Sequence, residues 1–305
     1  MASWLHKFQL STVFFFGSAI VQKSPNSAFG CLPFRLYSTM SINQLKREMF
    51  SSWQEYYWTY QYKLAEEYYI PLFEKWGIQL SGKTILDVGC GDGGFTTALA
   101  DAGAKSTGVE IRDFGWGNNR PGLRFLIQDI LAPDAIQNLG TGYDIILLRD
   151  VIEHIPLDRK AAFLEALSGF SNAGTQILIT FPPFYSPFGL HQQTLLKSFL
   201  KKIPFLGWVP ELLLIALLKL AGETENAIDN VREIRSCRMT LYHFKRLIAR
   251  SKFQLENEKY FFVRPSHELR YGWRMRESNL SNIPLLREIL ILGSVYQLSP
   301  RPVEK

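Results

Sequence analysis

The segment that decides the fold is residues 84–95, which read TILDVGCGDGGF. An apolar run passes through Asp87 and then turns at Gly89, Gly91 and Gly93. This pattern is typical of a buried parallel strand followed by a tight turn. Glycine suits such a turn because it adopts positive φ and lets a ligand lie against the backbone. The residues that follow read as a helix whose free N–H groups would face the same place, so the segment predicts a resting site for a nucleotide-like cofactor.

Acidic residues at the predicted strand ends indicate which cofactor binds at this turn. The glycines also satisfy the dinucleotide pattern G-x-G-x-x-G, but that pattern alone is a weak signal. Asp87 distinguishes a dinucleotide site from a site for a cationic cofactor. A carboxylate beside the turn would repel a pyrophosphate and attract a cationic ligand. S-adenosylmethionine is such a ligand, since it carries an ammonium and a sulfonium. Glu110 ends the second predicted strand near the spacing at which a carboxylate meets ribose hydroxyls, and Asp129 follows the third, placed to accept from an adenine amino group.

The chain alternates between strand patterns and helix patterns. The first five strands are predicted at Thr84–Val88, Ser106–Glu110, Leu123–Ile127, Tyr143–Leu148 and Thr175–Thr180. Two more are predicted at Phe253–Val263 and Val295–Leu298. Runs such as DIILL and QILIT are apolar throughout, as in strands that are buried on both sides. This alternation predicts a parallel sheet that helices cover on both faces.

Four segments follow one another in a recognisable order: ILDVGCGDGG, GVEI, FLIQDI and YDIILLRDVIEHIP. Together they resemble the motif series of class I S-adenosylmethionine-dependent methyltransferases, over about residues 82–183. The EHIP segment is most similar to the small-molecule branch, which includes the ubiquinone-pathway O-methyltransferases. The resemblance implies an α/β fold, namely a Rossmann-like, doubly wound, mostly parallel seven-stranded sheet with an antiparallel edge strand, plus a helical lid insertion.

The same resemblance implies the residues that bind S-adenosylmethionine. Its methionine part would be surrounded by Asp87, Gly89, Gly91 and Gly93. Glu110 would bind the ribose and Asp129 the adenine. Arg149 matches a position where the family usually touches the cofactor through its backbone, and an arginine is unusual there.

The acceptor is predicted to bind beyond the carboxyl ends of the strands, as ligands do in open α/β sheets. Methyl transfer from a sulfonium is an in-line displacement, so the site must align the nucleophile and exclude water. If the acceptor is a hydroxyl, a base helps to remove its proton. His154 follows the fourth strand and His191 the fifth, and both are candidate catalytic residues. Each has a structural alternative, which for His154 is a link with Glu153 at a helix entrance.

Three parts are predicted along the chain. Residues 1–39 would be a disordered targeting or untranslated leader, residues 40–80 an aromatic helical N-terminal cap, and residues 81–305 the methyltransferase domain, with an insertion at 181–238. Three interpretations of the leader stay open: a signal peptide, an organelle presequence, or sequence upstream of a translation start at Met40. The predicted location is cytoplasmic, with a mitochondrial or other organelle location as the alternative.

The insertion contains an apolar stretch, ELLLIALLKLA, at residues 211–221. Its simplest interpretation is a helix buried against the lid. The alternative is an interfacial helix that makes peripheral contact with a membrane to collect a lipid acceptor, helped by Lys201, Lys202 and Lys219. The stretch is too short for a confident membrane span.

Composition excludes several classes of protein. Of the 34 basic residues, five lie in the first 47 residues, which contain no acid, so the rest of the chain is nearly neutral against 28 acidic residues. Proteins that bind duplex nucleic acid need a clear basic excess, and no nucleic-acid partner is therefore predicted. The three cysteines, Cys31, Cys90 and Cys237, lack any paired spacing, so neither a disulfide framework nor a metal site is predicted. The oligomeric state cannot be read from these features.

These observations favour an enzyme that transfers a methyl group from S-adenosylmethionine to a small apolar or amphipathic acceptor, at oxygen rather than at nitrogen or carbon. One alternative is a non-catalytic S-adenosylmethionine-binding protein with an assembly or regulatory role. The other is a membrane-associated methyltransferase of lipids or quinones.

Overall fold

The computed structural model describes residues 44–117, 119–280 and 283–302. The leader predicted at residues 1–39, with its alternative start at Met40, lies outside these described residues. The predicted division into cap, domain and insertion remains a prediction.

The described chain forms an eight-stranded sheet in the order β3-β2-β1-β4-β5-β8-β6-β7. The strands are β1 Thr84–Val88, β2 Lys105–Glu110, β3 Leu123–Ile127, β4 Tyr143–Arg149, β5 Ser171–Phe181, β6 Phe253–Val263, β7 Arg276–Glu277 and β8 Gly293–Pro300. Strands β1 to β5 pair in parallel, which confirms the predicted Rossmann-like, doubly wound class. The sheet has one strand more than predicted, because the short β7 pairs with β6. The predicted antiparallel edge is confirmed, because β8 pairs antiparallel with both β5 and β6, and β7 pairs antiparallel with β6 at the end of the sheet.

Helices lie along the chain between and beyond the strands. Their bounds are α1 Trp53–Leu64, α2 Ile70–Lys75, α3 Gly94–Asp101, α4 Ala135–Leu139, α5 Lys160–Phe170, α6 Gln192–Leu195, α7 Glu211–Leu220, α8 Glu225–Cys237, α9 Leu241–Ala249, α10 Pro265–Tyr271 and α11 Pro284–Leu290. One hydrophobic core includes residues of α4, α5 and α9, and the other includes residues of α1, α2 and α3.

The apolar run of β4 supplies both cores. Ile146 and Leu148 belong to the core with α5 and α9, whereas Ile145 and Leu147 belong to the core with α1 and α3. Successive side chains of a strand point to opposite faces, so an unbroken apolar run fills both sides of the sheet. All four side chains are at most 2% exposed. Burial of each stabilises the fold by about 1.5–3 kcal/mol.

The N-terminal cap is helical but not continuous. Helix α1 begins after Ser52, whose side chain accepts from the Glu55 N–H at 3.0 Å, while the Glu55 carboxylate accepts from the Ser51 N–H at 2.9 Å. These reciprocal bonds resemble a capping box, which starts a helix and separates it from the residues before it. A π-helical turn at Ala65–Tyr69 then joins α1 to α2. The cap packs closely on α3, because a Cβ at Gly94 would collide with the carbonyl oxygen of Trp58.

The insertion has a hydrophobic core of its own. Buried residues of α7 and α8 pack together there, among them Leu214, Leu218, Ile228 and Val231. The loop before α6 is organised by buried Gln192, whose side-chain amide donates to the carbonyls of Pro187 and Ile203, each at 3.0 Å. The insertion is therefore an ordered helical unit placed after the carboxyl end of β5.

Candidate active site

The turn after β1 requires glycine at two positions. Gly89 has φ of +76°, and a Cβ there would collide with Val151. Gly93 has φ of +80°, and a Cβ there would lie 2.6 Å from a ring carbon of Phe125. Gly91, with φ of +54°, continues the same left-handed path. The predicted strand, turn and helix are all present, and the turn leads directly into α3.

Asp87 lies at the end of β1 and is only 1% exposed. Thr96 of α3 donates a hydrogen bond to its carboxylate at 2.6 Å. Burial raises the pKa of Asp87, and the charge of Arg149 opposes that effect. The Arg149 guanidinium lies 4.1 Å from the ring centroid of Phe95, and its buried Nε has no hydrogen-bond partner among the described residues. The Arg149 side chain therefore lies near Phe95 and influences the charge of Asp87.

Two further carboxylates follow the neighbouring strands. Glu110 at the end of β2 accepts from the backbone N–H groups of Gly91, at 3.4 Å, and Ile111, at 2.9 Å. Burial raises the pKa of Glu110. Asp129, beyond the end of β3, accepts from the Leu131 N–H at 2.9 Å. All the residues predicted to bind the cofactor thus follow the carboxyl ends of four adjacent strands.

Trp116 covers the glycine turn and was not predicted. Its indole N–H donates to the carbonyl of Gly91 at 2.8 Å, and its ring stacks on Phe125 at 5.4 Å and 13°. Asp92 in the same turn was also not singled out, and burial raises its pKa to about 6. No spacing rule connects Trp116 to the turn, because it lies in irregular chain between β2 and β3.

The structure brings the two predicted histidines together. The rings of His154 and His191 are 5.3 Å apart, at 70° to each other. Burial, with a smaller effect of His191, lowers the pKa of His154 to about 3, and burial lowers the pKa of His191 to about 4. Both are therefore unprotonated at neutral pH, the form in which an imidazole accepts a proton.

Glu153 completes this cluster. One carboxylate oxygen and one nitrogen from each histidine all lie within 4.8 Å of one another. Both oxygens of Glu153 are buried without a hydrogen-bond partner in the described parts of the chain, and burial raises its pKa well above the ordinary value. Buried Lys160 donates to the carbonyls of Ile152 at 2.5 Å and Ile155 at 2.6 Å, which stabilises the turn that carries the cluster. Carboxylate and imidazole are ligands that divalent ions accept, so these three side chains can bind a metal ion as well as act as an acid–base group.

An ion pair lies beside the histidines. The Arg264 guanidinium donates to both carboxylate oxygens of Asp150, at 2.6 and 2.7 Å. Burial alone would raise the pKa of Asp150, but Arg264 and Arg149 hold it below its ordinary value. Asp150 and His191 are non-glycine residues with positive φ, of 55° and 58°. Such strained conformations persist where the surrounding structure fixes them, and they cluster at functional sites.

Comparison with known proteins gives the family. Residues 57–206 match a family model described as a methyltransferase domain. The chain is 28% identical over 137 residues to a ubiquinone biosynthesis O-methyltransferase of Idiomarina loihiensis, covering 43% of this chain and 53% of that protein. It is 27% identical over 106 residues to the protein of the same name from Pseudomonas paraeruginosa, covering 33% of this chain and 45% of that protein. The chain spans about half the length of the curated relatives it matches.

One solved structure with a related arrangement is the magnesium protoporphyrin IX methyltransferase of Synechocystis PCC 6803 with bound SAH. It aligns with a TM-score of 0.42 and 15% identity, over 81% of this chain and 86% of that one. The family match agrees with the ordered motifs. Residues 57–206 therefore form a methyltransferase domain of the class I type, and its cofactor is S-adenosylmethionine.

Proposed function

We propose that this protein transfers the methyl group of S-adenosylmethionine to an oxygen of a small apolar or amphipathic acceptor. In this proposal Asp87 and the glycine turn bind the methionine part of the donor, Glu110 the ribose and Asp129 the adenine. The guanidinium of Arg149 meets the donor carboxylate, since it is a partly buried cation beside Phe95. His191 removes the proton from the acceptor hydroxyl, with His154 beside it.

The single observation that carries the proposal is the position of the unprotonated histidine pair. His191 and His154 follow β5 and β4, next to the strand ends that carry the donor residues. Half-buried, neutral imidazoles there have a nitrogen lone pair that can accept the proton of an acceptor hydroxyl. The strained backbone at His191 supports a functional rather than a packing role.

Donor binding is tested by calorimetry with S-adenosylmethionine. Asp87→Asn keeps the shape of a buried side chain but removes its charge, and we expect affinity to fall at least about tenfold. Asp158→Asn is the matched control, because Asp158 is exposed and not among the proposed donor residues. Absence of binding by the unmodified protein would contradict the proposal. Binding without turnover of any hydroxylated acceptor would favour the non-catalytic alternative.

The role of His191 is tested with methyl-labelled donor and a panel of phenols and catechols. We expect His191→Ala to lower kcat by about a hundredfold while donor affinity stays unchanged. His243→Ala is the control, since His243 lies on α9 and is not among the residues proposed to contact the donor or the acceptor. We expect turnover to persist in a chelator. Loss of turnover that added Zn²⁺ or Mg²⁺ restores would reassign Glu153, His154 and His191 to a metal site.

A second candidate function is supported by the surface of α7. Leu212, Leu213 and Leu220 are 86%, 54% and 86% exposed, although the same helix buries Leu214 and Leu218. Lys219 lies beside them, and Lys201 and Lys202 precede the helix. An exposed apolar face with nearby cations suits the surface of an anionic membrane. No described helix has the length and apolar character needed to cross a bilayer.

We propose that residues 211–221 bring the protein into peripheral contact with a membrane that supplies a lipid or quinone acceptor. Co-sedimentation with vesicles of phosphatidylcholine and phosphatidylglycerol tests this. We expect binding by the unmodified protein and its loss when Leu212 and Leu213 are both replaced by Glu. Ile136→Glu is the control, because Ile136 is an exposed residue of α4, outside the insertion. Equal sedimentation of all three proteins would remove this candidate.

A further inference from the structure

A cavity of about 460 Å³ opens between the N-terminal cap, α6 and α10. Its wall includes three cations and four aromatic residues, namely Lys46, Arg47, Arg270, Trp53, Tyr56, Tyr57 and Tyr271. One carboxylate, that of the exposed Glu48, also lines it. The volume suits a small aromatic molecule, and aromatic faces with charged groups among them can orient such a ligand.

Arg270 is the cation most enclosed by this wall. Its guanidinium carbon lies 5.8, 5.7 and 5.3 Å from the ring centroids of Tyr57, Tyr60 and Tyr271. Its Nη2 donates to the Tyr57 hydroxyl at 3.5 Å, the outer limit for a hydrogen bond. Burial raises the pKa of Tyr57 to about 12, so that phenol is neutral at neutral pH.

No carboxylate forms an ion pair with Arg270 in the part of the chain that the structure describes. A cation that has lost water without gaining a counter-ion is unfavourable, even with aromatic faces around it. A bound anion would relieve this cost.

Arg47 presents a second cation to the same space. Its guanidinium lies 5.0 Å from the ring centroid of Trp53, and Nη1 donates to the carbonyl of Phe50 at 2.6 Å. Its Nε is buried and has no hydrogen-bond partner within the described ranges. The Arg47 guanidinium thus lies on the Trp53 ring, and its Nε is available to donate a hydrogen bond to a ligand.

The cavity borders the methyl-transfer site. Gln193 and Thr194 line it, and Thr194 donates to the carbonyl of His191 through its N–H at 3.0 Å and its hydroxyl at 2.9 Å. Tyr60, whose ring contacts Arg270, also interacts electrostatically with Arg149 and Asp150. A molecule in the cavity therefore lies next to the turn that carries the candidate base.

We infer that this cavity binds the acceptor by a carboxylate or phosphate group, with Arg270 as the principal partner and Arg47 as the second. The aromatic residues contact the apolar body of the acceptor, and its hydroxyl points toward His191. A planar guanidinium can donate two parallel hydrogen bonds to such an oxyanion. The inference rests on the proposed function, because it names the acceptor class of the same site.

The test measures binding of benzoate and of phenyl phosphate to the full chain by calorimetry. We expect saturable binding of at least one of them, and at least about tenfold weaker binding of neutral benzamide. Arg270→Gln weakens binding of the anion at least about tenfold, and Arg47→Gln weakens it less. Arg274→Gln, an exposed arginine just beyond α10, leaves it unchanged. The tighter of the two anions identifies the group.

Donor binding separates this inference from the proposed function. Arg270→Gln should bind S-adenosylmethionine as the unmodified protein does, which shows that the variant is folded. If the unmodified protein binds the donor but neither anion, or if Arg270→Gln binds the anion equally well, the anion site is overturned and the proposed function stands. If the anion binds through Arg270 and the donor does not bind, the proposed function fails instead.

Discussion

The two ends of α10 carry arginines in opposite electrostatic settings. Arg264, immediately before the helix, meets the Asp150 carboxylate at 2.6 Å, and its side chain is 13% exposed. Arg270, in the last turn, faces three tyrosine rings and has no carboxylate partner among the described residues. The same side chain, six positions apart, has a carboxylate partner at one end and only aromatic neighbours at the other. Removing one partner of a buried ion pair leaves the other charge uncompensated and is destabilising, whereas a partly buried cation without a carboxylate partner is a candidate binding group.

The largest expected effect on the free energy of unfolding comes from breaking the ion pair between Arg264 and Asp150. Arg264→Met leaves the Asp150 carboxylate without its partner, and we expect the free energy of unfolding to fall by about 3 kcal/mol. The Asp150 side chain is 34% exposed. The expected loss of unfolding free energy is therefore at the lower end of the range for buried pairs. Urea unfolding followed by circular dichroism measures it. A change of less than about 1 kcal/mol would mean that the pair is no more than a surface ion pair.

A double-mutant cycle sharpens this result. Asp150→Asn combined with Arg264→Met removes both charges, and we expect the double variant to be about 2 kcal/mol more stable than the sum of the single changes predicts. The reason is that each single change strands one charge and the double change strands none. Additive single effects would contradict the direct pairing of these two side chains.

A smaller effect concerns His267, which lies between the two arginines on α10. Burial, followed by the charges of Arg264 and Arg270, lowers its pKa from 6.5 to about 3. The unfolded chain therefore binds a proton below about pH 6.5 that the folded protein does not accept. The free energy of unfolding is therefore unaffected by His267 above this pH. As the pH falls further toward 3, His267 lowers the free energy of unfolding by up to about 1.4 kcal/mol per pH unit.

The measurement compares the unmodified protein with His267→Phe, which keeps a ring against Tyr271 and Trp273. We expect unfolding free energies between pH 6.5 and 4.5 to fall less steeply in the variant, because the other buried histidines contribute equally to both proteins. Identical slopes would show that His267 is protonated in the folded state.

The smallest effect on stability should come from Arg270. Arg270→Gln removes a cation that forms no ion pair with the residues that the structure describes, so we expect the free energy of unfolding to change by less than about 1 kcal/mol, in either direction. Urea unfolding beside Arg264→Met provides the comparison. A loss as large as that of Arg264→Met would assign Arg270 to the fold and remove the contrast between the two ends of α10.

Local patterns were sufficient for most of the sheet. The predicted bounds of β1, β3 and β6 agree with the structure, because apolar runs and adjacent turn residues specify strands over a few positions. Within the helical cap predicted at residues 40–80, α1 begins only at Trp53, and Ser52 and Glu55 have the spacing of a capping box that marks this start. Strand β7, with two residues, is too short to leave a periodic signal.

The strand ends that carry Asp87 and Glu110 were predictable, and the surroundings of Asp150 were not. Asp87 and Glu110 lie in predicted strands within a recognisable motif, so neighbouring residues in the sequence indicate their positions. Arg264 and Asp150 are separated by 114 positions, and nothing in either segment indicates that they meet. Trp116 likewise reaches the glycine turn from a stretch of chain without a regular period.

By itself, the sequence determined the alternating α/β architecture, the class I methyltransferase motifs and the strand ends that carry the carboxylates predicted to bind the cofactor. Each of these depends on hydrophobic period, turn chemistry or side-chain charge within a few residues. Only the tertiary structure decided that β8 enters between β5 and β6, that His154 meets His191, and that Arg264 has a carboxylate partner while Arg270 has none within the described ranges. Those outcomes depend on long-range packing, which sets the distance between charges and their access to water and which no local pattern encodes.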